Sequence, residues 1–393
     1  MKGLFYLRGD GVLDQIYFDY AATTPCDPLV VKALEPYFFE RFGNASSPHE
    51  SGRTARKALE DSREILARFL GSQRDEIIFT SGATESNNQA VFGAARAQRK
   101  KGNHIIISKI EHHSVFEPVE FLKSQGYEVS EIDVDENGVV DLKALKAAVK
   151  PQTILMAVIH ANNEIGSIQP ISQIGAIAQA NRIPFLVDAV QTVGHFPVDV
   201  DELNADFLSL AAHKFYGPKG VGALYARRGT PLARHLLGGD QERGWRASTQ
   251  NVAGVVGLAK AIELCEQNMA KEAKQQAQLR DRLLAEVPQR IKEVKVNGHH
   301  RERLSNNAHF SFAGVKGEAL LMALDRKGIA ASMGSACTSG AIKPSRILKA
   351  IGLSNDLALG SLRITLGRWT TTEHIDRLLE ELPLIIERLR THG

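Results

Sequence analysis

Cys337 sits in MGSACTSG (333–340), among residues too small and flexible to give a cysteine much apolar packing. It is either incidental or reactive. Five further stretches put polar residues directly after apolar, β-branched runs, the place where open α/β sheets bind ligands. In FTSGATESNN, Ser81, Gly82, Ala83 and Thr84 join a strand end to a helix start, where backbone N–H groups and the helix dipole favour an anion such as phosphate. An ordinary turn capped by Thr84 is the alternative. FLVDAVQ ends a buried run on Asp188, with Gln191 three residues on. An ionised carboxylate there needs a cation, such as the protonated ring nitrogen of a cofactor, or several donors; a structural salt bridge also satisfies it.

FLSLAAHKFYGPKG ends its run on His213 and Lys214. A lysine at a strand's carboxyl end forms a Schiff base when partial burial lowers its pKa, and the alternative is an exposed side chain that merely snorkels. SKIEHHSVFEP sets Glu111, His112 and His113 after HIIIS, and VIHANNEIG sets Asn162, Asn163 and Glu164 after TILMAV. A histidine can stack on an aromatic cofactor or move protons and an amide can bond a ring hydroxyl, although both types are also common in turns. Lysine, buried acid, anion cup, histidine and asparagine at successive strand ends add up to the needs of pyridoxal phosphate. No metal is expected: the adjacent histidines do not form H-E-x-x-H, and the G-x-x-x-x-G-K-[ST] loop of ATP-binding proteins is missing.

The elements that must position these residues follow from the apolar pattern. EIIFT, HIIIS, YEVSEI, TILMAVIH, IPFLVDA, DFLSLA and GALYA alternate with helical stretches, which predicts a doubly wound α/β domain with a mostly parallel sheet. PLVVKALEPYFFERF and SGRTARKALEDSREILARFL read as helices before it, the second capped by Ser51. After about Ala253 a long helix, short strands at AHFSF and LRITL, and a closing helix predict a smaller α+β domain. The expected division is a large domain over 16–262 and a small one from 1–15 and 263–393, with Cys337 on a loop of the latter.

Composition sets the remaining bounds. The 393 residues carry 48 basic and 45 acidic side chains, a net charge of +3 without the basic stripe of a nucleic-acid binder. No run reaches membrane-spanning length, and the first residues lack the core of a signal peptide. Three distant cysteines, Cys26, Cys265 and Cys337, suggest neither a disulfide framework nor a zinc site, so a reducing cytoplasm is the expected location. Cys265 falls in the apolar period of the long helix, and Cys26 reads as incidental.

From IYFDYAATTP to LRITLGRWTTTEHID the chain resembles the cysteine desulfurases of the class V aminotransferase group, fold type I pyridoxal-phosphate enzymes. FGNASSPHESGR, FTSGATESNN, EHHSV, HANNEIGSIQPI, VDAVQTVG, AAHKFYGPKG, ERGWRAST and GSACTSG carry the resemblance. It implies that Lys214 is the Schiff-base lysine, that His112 stacks on the ring and that Asp188 bonds its nitrogen. Gln191 and Asn163 would contact the ring hydroxyl or the substrate, and Ala83, Thr84 and His213 the phosphate. Thr249 would reach the phosphate of a neighbouring subunit in a homodimer, and Arg363 would pair with the substrate carboxylate. Cys337 would take sulfur from L-cysteine as a persulfide, leaving L-alanine, and pass it to an acceptor for iron–sulfur assembly or tRNA thiolation. Two departures stand out: Ala211 where many relatives have serine, and RAST for the usual RSGT, with Ser209 or Ser248 as possible substitutes. An aminotransferase, a selenocysteine lyase and a non-catalytic sulfur-carrier scaffold on the same fold are the rival readings.

Overall fold

A computed structural model describes residues 15–333 and 343–392. The loop expected to carry Cys337 lies outside the described residues. By internal contacts the chain forms two units, one from 23–162 and 167–271, the other from 15–22, 163–166 and the described part of 272–392.

The larger unit is built on seven strands, β1 (Ile77–Thr80), β2 (His104–Ser108), β3 (Glu128–Ile132), β4 (Thr153–Ile159), β5 (Phe185–Asp188), β6 (Phe207–Ala211) and β7 (Gly222–Ala226). Their order is β1-β7-β6-β5-β4-β2-β3, parallel throughout except for β7, which runs against both of its neighbours. β2, β4, β5 and β6 are buried at every residue, which is why they read as largely apolar runs without polar alternation. β3, at the edge, keeps Glu128 and Glu131 toward solvent, charges that discourage pairing with another chain. The chain leaves β2 for β3 at the edge and then returns to β4 on the other side of β2. The loops after β2 and β4 therefore flank a topological switch point.

Helices cover the sheet: α1 (Glu50–Leu70), α2 (Ala83–Ala97), α3 (His113–Ser124) and α4 (Ile171–Ala180). α1 is capped by His49, not by the expected Ser51, because the helix starts two residues earlier, at Glu50, and His49 Nδ1 accepts the Gly52 N–H at 3.3 Å. The first expected helix is two, Pro28–Leu34 and Pro36–Phe39. Pro36 has no N–H with which to continue the ladder.

In the smaller unit, β8 (Val294–Val296), β9 (Asn307–Phe312) and β10 (Ser361–Thr365) form an antiparallel sheet in the order β10-β9-β8. The long helix α5 (Val252–Arg290) divides between the units at Lys271, and α6 (Thr372–His392) closes the chain. Leu283, Phe310, Phe312, Leu362, Ile364, Ile375 and Leu382 belong to this unit's own core. No helix among the described residues is long and apolar enough to cross a membrane.

Candidate active site

Register brings the expected residues to one edge of the large sheet. Thr80, Gly222 and Ala211 are direct partners across β1, β7 and β6, so the turn Ser81–Thr84 and the segment leading to Lys214 leave the sheet from one cross-strand row. Adjacent strands lie about 4.8 Å apart, which makes these loops near neighbours. On the other side of β6, Ser209 pairs with Asp188, the last residue of β5.

The anion cup is shaped by two glycines. Gly82 caps α2 at φ 152°, a backbone conformation that favours glycine, and the first N–H groups of α2 have no carbonyl of their own helix to bind. A Cβ on Gly222 would lie 2.8 Å from Gly82 Cα and 2.5 Å from Leu210 O. Gly222→Ala is therefore expected to displace the cup and weaken cofactor binding by about tenfold or more, read by titrating cofactor-free protein, with helix content unchanged. Glu85, in the first turn of α2, accepts the Ser81 N–H at 2.9 Å and pairs with Arg246 at 2.7 Å. Burial works to raise its pKa, but these donors hold it below the ordinary carboxylate value. Thr84 and His112 line one groove of about 460 Å³ with Asn88, Phe92, Pro118 and Phe121.

Asp188 is 2% exposed and accepts from Asn87 Nδ2 at 2.9 Å and Val190 N–H at 3.1 Å, with no cation beside it among the described residues. Those donors satisfy only part of a buried carboxylate, and a protonated pyridine nitrogen fits the remainder. Ser209, in the strand adjoining Asp188, adds a buried hydroxyl that has no hydrogen-bond partner among the described residues. Ser248, by contrast, is exposed at φ 91°. Gln191 is buried one turn beyond Asp188. The acid, the hydroxyl and the cup fit pyridoxal phosphate.

Lys214 is half-buried at the end of a one-turn 3₁₀ segment, Ala212–Lys214, that follows β6. Thr24 clamps this turn from both sides: its N–H and hydroxyl donate to His213 O at 2.9 and 3.0 Å, and its Oγ1 accepts the Tyr216 N–H at 2.8 Å. Burial, with the Lys214 and Lys219 charges, pushes the His213 pKa down to about 4, so this ring is neutral at pH 7 and lies 3.1 Å from Thr23 Oγ1 through Nδ1. A neutral ring serves a phosphate through one N–H.

His112 caps α3, its Nδ1 accepting the Ser114 N–H at 3.1 Å. Its neighbours have other tasks. Glu111 is buried and accepts the Ile159 N–H at 2.9 Å, whereas His113 is exposed and 3.2 Å from Glu117. Asn162 donates to Ile110 O at 3.0 Å.

In the smaller unit, Arg363 is central in β10 and buried. Its Nη2 pairs with Asp19 Oδ1 at 2.8 Å and its Nη1 donates to Asn163 O at 3.0 Å, so that among the described residues three of its five N–H groups have no partner. Glu164 accepts the Ser345 hydroxyl at 2.5 Å. Ser332 bridges to Arg363 through backbone hydrogen bonds, five residues before Cys337 in the sequence.

Thr249 is exposed on a segment with left-handed Glu242, Arg243 and Ser248, and lines a cavity of about 190 Å³ with Ser81 and Gly220. A buried ion pair fixes that segment to β1. Arg63 binds Glu242 through two nitrogens at 2.8 and 3.0 Å, and Glu242 also takes the Phe79 N–H at 2.9 Å. Asn87, Ser114, Asp19 and the Glu85–Arg246 pair were not singled out by the sequence reading. Asn87 and Ser114 do lie inside its FTSGATESNN and EHHSV motifs, one helical turn past Ala83 and two residues past His112.

The chain matches the family Aminotransferase class-V over residues 16–378. A cysteine desulfurase IscS of Dictyoglomus turgidum is 52% identical over 377 residues, 96% of either chain. One from Methanosarcina thermophila is 48% identical over 375 residues, 95% of this chain and 93% of its own. Of solved structures, a NifS-like protein aligns with a TM-score of 0.90 at 35% identity, covering 95% of this chain and all of its own. SspA in complex with cysteine aligns with a TM-score of 0.81, also at 35% identity, covering 91% of this chain and all of its own.

Proposed function

The chain belongs to the class-V aminotransferases and is a pyridoxal-phosphate-dependent cysteine desulfurase, and from that premise we propose how its own residues divide the removal of sulfur from L-cysteine. The observation that carries the reading is the buried Asp188 carboxylate, which among the described residues has two neutral donors and no cation, beside the row that launches the anion cup and Lys214. Bound pyridoxal phosphate supplies an electron sink for the carbanion at the substrate Cα.

Lys214 would hold the cofactor covalently and, as a free amine, would move the Cα proton. Asp188 keeps the ring nitrogen protonated, His112 stacks on the ring and serves the substrate thiol, and Gln191 and Asn163 bond the ring hydroxyl or the substrate. The N–H groups of Ala83 and Thr84, the Thr84 hydroxyl and His213 hold the phosphate. Cys337, as thiolate, attacks the substrate sulfur: an S–S bond forms, the C–S bond breaks, its electron pair stays on the substrate carbon, and protonation there gives L-alanine. Cys337 is left as a persulfide. The test of the activity is its products: with a thiol reductant present to release the persulfide sulfur, alanine and sulfide in equal amounts without any amino acceptor; pyruvate made only with an acceptor is the aminotransferase outcome.

Arg363 pairs with the substrate carboxylate. Arg363→Lys keeps the charge but removes the planar fork, so KM for L-cysteine is expected to rise about 10- to 100-fold with the cofactor spectrum unchanged, as steady-state kinetics would show.

The active unit is a homodimer in which Thr249 serves the partner's phosphate site. Its exposed position supports this, as do Phe38, Phe42 and Leu237, which are 67%, 72% and 76% exposed and form apolar surface that an isolated chain leaves wet. Light scattering near twice 43.0 kDa is the expected result. The persulfide passes to a protein acceptor in the cytoplasm, an iron–sulfur scaffold or a sulfur carrier for tRNA thiolation.

A further inference from the structure

Two side chains outside the reacting set join the acid to the histidine. Asn87 is fully buried on α2, and its Nδ2 lies 2.9 Å from Asp188 Oδ2 and 2.8 Å from Ser114 Oγ. Ser114, 6% exposed in the first turn of α3, places that hydroxyl 2.8 Å from His112 Nδ1 and also points its backbone N–H at the same nitrogen, 3.1 Å away.

The direction of every bond in this chain is determined by its ends. An ionised Asp188 only accepts, so Asn87 must turn its NH₂ toward it, and the second N–H of that group then donates to Ser114. The opposite amide orientation would set its oxygen against a carboxylate. The other face of the amide carries the cost: Asn87 Oδ1 is buried and finds no hydrogen-bond partner among the described residues. With its oxygen accepting from Asn87, Ser114 spends its own proton on His112. Nδ1 therefore receives two donors, and the neutral ring must carry its proton on Nε2.

We propose that Asn87 and Ser114 are positioning residues which transmit the ionised state of Asp188 to His112, reinforcing the Nε2–H tautomer of the His112 ring and fixing its orientation. The proposal rests on the reading that Asp188 and His112 serve the cofactor and substrate. It adds that the two are set together: an acid held ionised for the ring nitrogen also fixes the second donor to His112 Nδ1. Glu117, the acid nearest along α3, faces His113 at 3.2 Å.

The test uses ¹⁵N-histidine-labelled protein freed of cofactor, in long-range ¹H–¹⁵N spectra at a pH where His112 is neutral, with a His112→Gln sample for assignment. The expected wild-type pattern is one tautomer, protonated on Nε2. In Ser114→Ala the tautomer persists through the remaining backbone donor, while the Nδ1 resonance moves toward that of a nitrogen with fewer hydrogen bonds. In Asp188→Asn, Asn87 is free to turn over and the Ser114 hydroxyl loses its fixed direction, so the Nδ1 resonance again moves toward that of a nitrogen with fewer hydrogen bonds while the backbone N–H keeps the tautomer. Ser114→Thr restores the wild-type pattern. A wild-type ring protonated on Nδ1, or an Nδ1 resonance unmoved in either variant, overturns the proposal. In loaded enzyme, Ser114→Ala should lower kcat about tenfold with KM within about twofold, and Ser114→Thr should recover it. If wild-type protein made no alanine, the desulfurase assignment would fail while the spectra still decided the relay.

Discussion

Lys214→Ala protein should fold, lose the visible absorbance of bound cofactor after gel filtration, and turn over L-cysteine roughly 10⁴-fold or more slowly. The expectation of a normal fold comes from what holds this turn. Thr24 bonds to His213 and Tyr216, and the Phe215 and Gly217 N–H groups both return to Ala212 O, so the backbone is set by neighbours of Lys214 and not by its amine. The size of the loss comes from the two tasks placed on one nitrogen, covalent attachment of the cofactor and transfer of the Cα proton. A lysine that only snorkelled at a strand end would be replaced with activity within about twofold. Absorbance and single-turnover alanine formation separate the two outcomes.

Cys337→Ser should keep the cofactor spectrum and substrate binding of the unaltered protein yet lose catalytic sulfide release by roughly 10³-fold or more, because the hydroxyl cannot accept sulfur from sulfur. Neither other cysteine is placed to substitute. Cys265 is 2% exposed, its Sγ 4.0 Å from Phe215 O. Burial raises the Cys26 thiol pKa and the Asp27 charge adds to it, outweighing the opposite pull of Lys219, so less of it is thiolate near neutral pH. Alanine measured in the first turnover and sulfide measured over many turnovers check the claim together.

Much of this architecture was legible in the sequence because it rests on local signals. Fully buried parallel strands must be largely apolar, and all seven expected runs are strands of one sheet. The cup was visible because a strand, a glycine and a helix start are consecutive. What was not legible depends on pairing across distance. Nothing in GALYA announces that Gly222 would stand between Thr80 and Ala211, and no spacing connects Asn87 with Asp188, 101 residues away, or Asp19 with Arg363, 344 residues away. The amphipathic pattern runs on through Pro36, where the helix breaks, and Ser51 is the better cap by residue type although His49, one residue before the helix, does that work. The short strand Val294–Val296 carries too little pattern to stand out and exists by pairing with β9.

The most direct test follows the sulfur atom. Protein saturated with pyridoxal phosphate is mixed with one equivalent of L-cysteine labelled on sulfur, quenched without reductant, alkylated and digested, and the cysteine peptides are weighed. One labelled sulfur on the Cys337 peptide, matched by one L-alanine per site, is the predicted result. Alanine formed with the label on Cys26 or Cys265, or with no peptide labelled, would contradict it.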